Sequence, residues 1–442
     1  MRQAFSVWIA FFITLSCFAQ EQKLQHQMPT KDQYTKLAAE MESTLQRDVL
    51  GVWFPRSVNK ETGGFYSTFT RDWQRADGDG KFSVFQGRMV WVASQIVRQR
   101  PDQRDQYLPV AEHGFQFLND VLWDKQNGGF YWGLDDKNQI SSRYTDGKHL
   151  YGISFGLYGA TAAYQATKNE AALELAKKTF QWLDEHAHDS KSGGYFEWLT
   201  RDGKVVESKS EATSQGVPVA GFPIGYKSMN THIHLLESFT QLYEVWRDDT
   251  LRARLDELLR IVRDKICVEP GVMNLYFTTD WRPIPDHDSY GHDVETAFLI
   301  LEAEAALGHM PYSKTERMAK LLVDHALAYG WDEINGGFYR EGTTFGAPED
   351  KRKEWWVQFE GLNALLLMHQ KYGKENSLYF KAFLKQWEFI KKHQVDNEFG
   401  GIFDTIESDG TVKDFTKSRI WKECYHETRA LLNTIDRLKA LA

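Results

Sequence analysis

The sequence predicts an all-α fold, an (α/α)6 barrel of six helical hairpins joined by short Gly-Gly-aromatic β-turn segments. Three observations carry this expectation: a phrase recurring at near-constant spacing, helical periodicity between its copies, and few strand-like runs. The phrase is two glycines followed by aromatic or aliphatic residues. It reads Gly63-Gly64-Phe65-Tyr66, Gly128-Gly129-Phe130-Tyr131, Gly193-Gly194-Tyr195-Phe196, Gly336-Gly337-Phe338-Tyr339 and Gly400-Gly401-Ile402-Phe403. The first glycines lie 65, 65, 143 and 64 residues apart. The long interval is close to two periods. It contains a degenerate copy, Gly271-Val272-Met273-Asn274-Leu275-Tyr276-Phe277, so six copies tile the 442-residue chain.

Each copy implies the same local structure. Paired glycines supply backbone freedom that a Cβ removes, so they mark a sharp turn. The aromatic pair after them reads as a short extended stretch pinned to the body of the protein. A period of this length leaves room for two ordinary helices and two connections. Helical spacing is plain in Ala171 to Leu183, Leu251 to Leu259 and Ala319 to Leu327, where apolar residues recur three and four apart. An open solenoid wants polar caps and a variable repeat number. A closed ring of twelve helices, inner ones surrounding a mouth of loops, suits this length better.

Composition narrows the partners. Lys plus Arg is 53 and Asp plus Glu 61, a formal charge of −8, which argues against nucleic acid. Hydrophobic residues at 42% and charged at 26% describe a soluble globule. No Pro- or Ser-rich linker divides the chain. At the N-terminus, Met1-Arg2-Gln3 precedes an apolar run from Ala4 to Phe18 that is too short to span a membrane and reads as a secretory signal. Cys17 and Ala19 fit the small residues before a cleavage site after Ala19, so residues 1–19 form the signal, 20–36 an N-terminal extension and 37–442 the barrel. A lipoprotein signal at Cys17 competes, but Thr14 stands where that reading wants Leu. Export, periplasmic or secreted, leaves Cys267 and Cys424; one disulfide is arithmetically possible, but nothing in their spacing supports it, and buried free thiols are expected.

Four segments place polar residues on otherwise apolar helices. In Tyr226 to Glu237, Asn230 and His234 share a face that Glu237 continues, while His232 points elsewhere. In Ser289 to Ala297, His292 and Glu295 are three apart; a carboxylate beside an imidazole orients it and raises its pKa, as a general base needs, although a helix-start ion pair has the same appearance. In Lys353 to Glu360, adjacent Trp355 and Trp356 divide between core and a platform for a sugar ring face. In Trp421 to Arg429, Trp421 and His426 are five apart. Upstream, Arg88 on an apolar helix start needs an anionic or carbonyl partner: a substrate oxygen, or a structural ion pair. There is no P-loop, no G-x-G-x-x-G after a strand, no H-E-x-x-H, no C-x-x-C and no nucleophile elbow. Nucleotide, nicotinamide, structural zinc and serine hydrolysis therefore lack support, and no cofactor is expected.

These segments, in this order on six repeats, resemble the N-acylglucosamine 2-epimerase superfamily, and within it the cellobiose 2-epimerases and their mannobiose-acting relatives. The resemblance runs from about Leu37 to the C-terminus and rests on Lys227 to His234, Gly291 to Glu295, Glu354-Trp355-Trp356 and Trp421 to His426. It implies His292 and His426 as acid/base groups at C1–C2 of a sugar, with His234 assisting. It implies sugar-binding roles for Asn230 and His234, a protonation-setting role for Glu295, and an oxyanion role for Arg88. Trp356 and Trp421 would stack on the second unit of a β-1,4-linked disaccharide. The implied reaction inverts C2 through an enediol, with Arg88 as the cation so that no metal is needed. Aldose–ketose isomerisation and N-acylglucosamine 2-epimerisation are the near alternatives. A glycoside hydrolase would want two facing carboxylates rather than histidines, and a sugar-binding protein would not need three of them. Glu207 to Phe222 reads as a mobile loop at the mouth. The sequence does not fix the glycan or the oligomeric state.

Overall fold

The computed structural model describes residues 28–76, 78, 80–208, 224–308 and 313–442. The expected signal and its cleavage site lie outside the described residues, as does the expected mouth loop from 209 onward. Twelve helices of at least 12 residues lie among those described. They are α1 (Lys31–Thr44), α2 (Ser83–Gln99), α3 (Arg104–Phe117), α4 (Leu150–Thr167), α5 (Glu170–His186), α6 (Met229–Val245), α7 (Asp249–Ile261), α8 (Tyr290–Leu307), α9 (Lys314–Tyr329), α10 (Trp355–Tyr372), α11 (Leu378–Phe389) and α12 (Tyr425–Leu441).

The even-numbered helices form a closed inner ring, each packed on the next, with α12 returning to α2. The odd-numbered helices form the outer layer. Each of α3 to α11 covers the inner helix before it, and α1 covers α12. Burial follows this division. Inner α4 buries all but two of its 18 residues, so it reads as continuously apolar. Outer α7 buries one stripe, Leu251, Leu255, Leu258, Leu259 and Ile261, and keeps its charged residues outside that stripe. This is the (α/α)6 barrel that the repeats predict. No described helix is long and apolar enough to cross a membrane. Cys267 and Cys424 are buried free thiols.

The recurring phrase is a clamp between hairpins. All ten glycines of the five good copies have positive φ, which only Gly adopts without strain. The following residue forms an isolated antiparallel bridge to the segment before the turn, as in Val58 with Phe65, Trp123 with Phe130 and Trp331 with Phe338. Two further positions complete the clamp. A residue four before the first glycine, Asp124, Asp189, Asp332 or Asp396, caps the turn by accepting backbone N–H groups. A buried lysine two residues before an inner helix then ties this aspartate to the turn: Lys227 Nζ reaches Asp189 Oδ2 and Gly193 O at 2.7 Å each, and Lys353 Nζ reaches Asp332 Oδ2 at 2.7 Å and Gly336 O at 2.6 Å. Lys148 repeats this with Asp124 and Gly128, and Lys417, placed eight residues before α12, makes the same contacts with Asp396 and Gly400. Lys81 does so with Gly63 O, Asn59 replacing the aspartate. In two copies a glutamine on the inner helix closes the unit, since Gln86 pairs both backbone groups of Phe65 and Gln358 those of Phe338.

These contacts generate a stability prediction. At Gly64, φ is +68° and an added Cβ would stand 2.5 Å from Gln86 Oε1, whereas at Gly308, φ is +76° with nothing within 4 Å. Gly308→Ala then costs only the left-handed strain, about 1–2 kcal/mol, and Gly64→Ala costs more because the glutamine must also leave Phe65. Thermal unfolding of the two variants measures this; equal midpoints would contradict it.

Candidate active site

The inner helices all run the same way, and a cavity of about 200 Å³ opens where their N-termini converge. Its lining includes all eight residues expected from the sequence: Arg88, Asn230, His234, His292, Glu295, Trp356, Trp421 and His426. Tyr151, Glu354, Trp355 and Arg419 join them. Arg88, Tyr151, Asn230, His234, His292, Glu295, Trp355, Trp356 and His426 all sit within the first two turns of an inner helix. Helix N-termini carry partial positive charge, so this mouth favours an anion.

Each imidazole is fixed through Nδ1. His426 Nδ1 lies 2.6 Å from Glu360 Oε1, and His234 Nδ1 lies 2.9 Å from Glu237 Oε2. Glu237 is ionised and Glu360 Oε1 already accepts from Arg429 Nη2, so both oxygens accept, both rings carry hydrogen on Nδ1, and Nε2 is left free of these carboxyl groups. His292 is held differently. Its Nδ1 meets the Ser289 hydroxyl at 2.7 Å, a partner able to donate or accept. His292 and His426 pack against the same indole, Trp356, with ring centroids 4.7 and 5.8 Å away.

Behind the rings, Arg429 collects three buried carboxylates. Its Nη1 donates to Glu237, and its Nη2 donates to Glu295 and, at 2.6 Å, to Glu360. Glu295, Glu360 and His426 bring donor atoms close enough to hold a metal ion. Arg429 already supplies the positive charge that those carboxylates require. Glu237 is held down at about 2: burial opposes ionisation, and Arg429 and His234 overcome it. Burial pushes Glu360 up to about 8 despite Arg429, with Glu295 reinforcing the shift. Burial also pushes His292 down to about 4, against the pull of Glu295, and sends His426 well below its usual value, helped by Arg88 and Arg429. Burial therefore favours the neutral form of each ring, the form that accepts a proton, and a ring that carries the extra proton needs an anion beside it.

Two expectations need correction. Glu295 does not orient His292: its oxygen goes to Arg429, and Ser289 holds the ring. Nor does the carboxylate raise His292 overall, because desolvation outweighs it. Arg88 is paired with a buried carboxylate, Nη1 to Glu423 Oε1 at 3.1 Å, and also faces the cavity, with Nη2 on Tyr151 OH at 3.0 Å and Nε lacking a protein partner. The adjacent tryptophans differ in burial. Trp355 is buried under Lys422, while Trp356 is half-exposed and donates from Nε1 to Glu354 at 2.7 Å. Trp421 is also half-exposed and leans on Phe82 and Tyr151. Asn230 Oδ1 is buried without a protein donor. His232 belongs to the core, bonded to Ser228 O and Tyr195 N. Sequence reasoning assigned no role to Tyr151, Glu360 or Arg429. The spacing of Arg429, three after His426, was the available sign.

Comparison with known proteins agrees with this geometry. Cellobiose 2-epimerase of Bacteroides fragilis is 30% identical over 406 residues, spanning 90% of this chain and 98% of its own length. A D-mannose isomerase of Marinomonas mediterranea is 24% identical, spanning 93% and 99%. The solved structure of cellobiose 2-epimerase from Bacillus thermoamylovorans superposes with a TM-score of 0.81 at 28% identity, covering 91% of this chain and 99% of that one. Residues 63–430 match the N-acylglucosamine 2-epimerase family model. The chain belongs to the N-acylglucosamine 2-epimerase family of carbohydrate epimerases and isomerases.

Proposed function

We propose that this protein inverts C2 of the reducing-end sugar of a β-1,4-linked disaccharide of the cellobiose or mannobiose type. The observation that carries this is the packing of His292 and His426 against one indole in a mouth built from helix N-termini. The relatives named as cellobiose 2-epimerases support the substrate class.

Inversion at C2 starts from the open-chain aldehyde, whose carbonyl acidifies the C2 proton. A neutral imidazole takes that proton and the electrons move to the carbonyl oxygen, giving an enediolate. The ring on the other face of C2 enters the step as imidazolium, gives its Nε2 proton to C2 and becomes neutral, and the carbonyl reforms. The pair works with one proton between its two members, so each turnover exchanges their roles, and exchange with solvent restores them. Burial disfavours the imidazolium, and the developing enediolate compensates for it. Arg88 and the converging helix N-termini oppose the charge on the oxygen. Asn230 and His234 take sugar hydroxyls. Proton delivery to C1 instead of C2 yields a ketose, so isomerisation is a branch of the same intermediate. The apolar N-terminal run, beyond the described residues, supports export of the protein.

Incubation with cellobiose, mannobiose, mannose and N-acetylglucosamine, followed by NMR of the products, tests the reading. The expected product is the C2 epimer of a disaccharide; release of monosaccharides from cellobiose, or epimerisation of N-acetylglucosamine alone, would contradict it. His292→Ala and His426→Asn each lower kcat by about a thousandfold or more with the circular dichroism spectrum unchanged. Turnover close to that of the parent in either variant discards the two-imidazole scheme. Trp421→Ala raises KM for disaccharides about tenfold and for monosaccharides much less, because only the former place a ring on the indole. Equal effects would assign Trp421 to packing alone.

A further inference from the structure

The fourth repeat departs from the clamp shared by the others. Two residues before α8, where sister repeats carry Lys81, Lys148, Lys227 and Lys353, stands Asp288. Where sister repeats carry the turn-capping aspartate, the backbone register of Cys267 with Met273 places Val268. On the inner helix, where Gln86 and Gln358 hold the turn, stands Asp293. The ammonium is thus replaced by two carboxylates, and its acidic partner by an alkyl group. From outer helix α9, His325 reaches into the same place.

All three side chains are sealed from solvent, at 2%, 0% and 3% exposure for Asp288, Asp293 and His325. None of the four carboxylate oxygens has a hydrogen-bond partner, and neither does His325 Nδ1. His325 Nε2 lies 2.7 Å from Thr344 O. A carbonyl accepts only from N–H, so the neutral ring aims the lone pair of Nδ1 at the carboxylates. That nitrogen lies 3.5 Å from Asp288 Oδ2 and 4.0 Å from Asp293 Oδ2, and one donor atom from each residue falls within 4.8 Å of the others. Two carboxyl groups and an imidazole lone pair face one point, and burial with their mutual repulsion disfavours ionisation of both acids; a proton kept between them or a cation relieves that repulsion. Donors about 2.0–2.2 Å from a shared ion stand roughly 3–3.5 Å apart, so a small inward shift completes a coordination set.

We propose that Asp288, Asp293 and His325 Nδ1 bind one divalent transition-metal ion of the zinc or manganese kind. The ion does for the fourth repeat what the buried lysine does for the others, and it holds the start of α8, the helix that carries His292. Mixed carboxylate and imidazole donors suit these metals better than magnesium or calcium, which prefer oxygen alone. The three positions share no motif spacing, so the set is visible only in three dimensions. The proposal stands independently of the reaction assigned to the cavity.

Full-length protein, Asp288→Lys and Asp293→Asn are expressed with added zinc or added manganese, dialysed against metal-free buffer and analysed by mass spectrometry for metal content. The parent retains about one equivalent of zinc or manganese, and both variants lose it by tenfold or more. Chelation lowers the thermal midpoint of the parent and leaves that of Asp288→Lys unchanged, because that variant holds no metal to remove. A parent free of both metals, or variants that keep its metal content, would overturn the proposal. If Asp293→Asn does not fold, the parent and Asp288→Lys decide the matter.

Discussion

One guanidinium sets the geometry of the candidate site. Arg429 is buried and donates to Glu237, Glu295 and Glu360, which arrive from three different inner helices. Two of those carboxylates hold the Nδ1 atoms of His234 and His426. The positions of these rings therefore depend on a cation behind them that faces away from the sugar. A network of this kind is fragile in one direction: removing the cation leaves buried charges unpaired, at a cost of about 3–5 kcal/mol for a single broken pair. Its return is orientation, since each ring keeps one tautomer and one facing.

The barrel makes this arrangement possible. A ring of parallel inner helices brings six N-termini to one mouth, so residues far apart in the chain meet within two helical turns of the surface. The same helices direct partial positive charge at the place where an enediolate forms. The clamps at the Gly-Gly turns fix the helix starts, and these are the segments that carry the site. Stability and chemistry therefore share one end of the molecule.

The repeats made the fold legible. Gly-Gly pairs must adopt positive φ, which constrains sequence so tightly that the period survives where little else does. The clamp lysines were not legible, because they follow the first glycine by 18, 20, 34, 17 and 17 residues in the five copies. The intervening loops vary in length, so no fixed spacing exposes the partnership. At the site, His234, His292 and His426 stood out as imidazoles on apolar helices. Their holders did not. Glu360 and Arg429 read as ordinary members of polar positions, and only packing across the bore shows that they meet. The assignment of Glu295 to His292 came from neighbourhood along one helix, and a stronger partner on another helix, Arg429, takes the carboxylate. Burial, which sequence registers weakly, then decides the sign of the shift at His292.

The most direct measurement of the central claim is the isotope content of C2 after turnover in heavy water. If an imidazole removes the C2 proton and another returns one, the epimeric disaccharide carries deuterium at C2 and remains a disaccharide. An epimer formed with its original hydrogen at C2 would contradict the account, because that hydrogen would have moved without passing through a side chain in exchange with solvent.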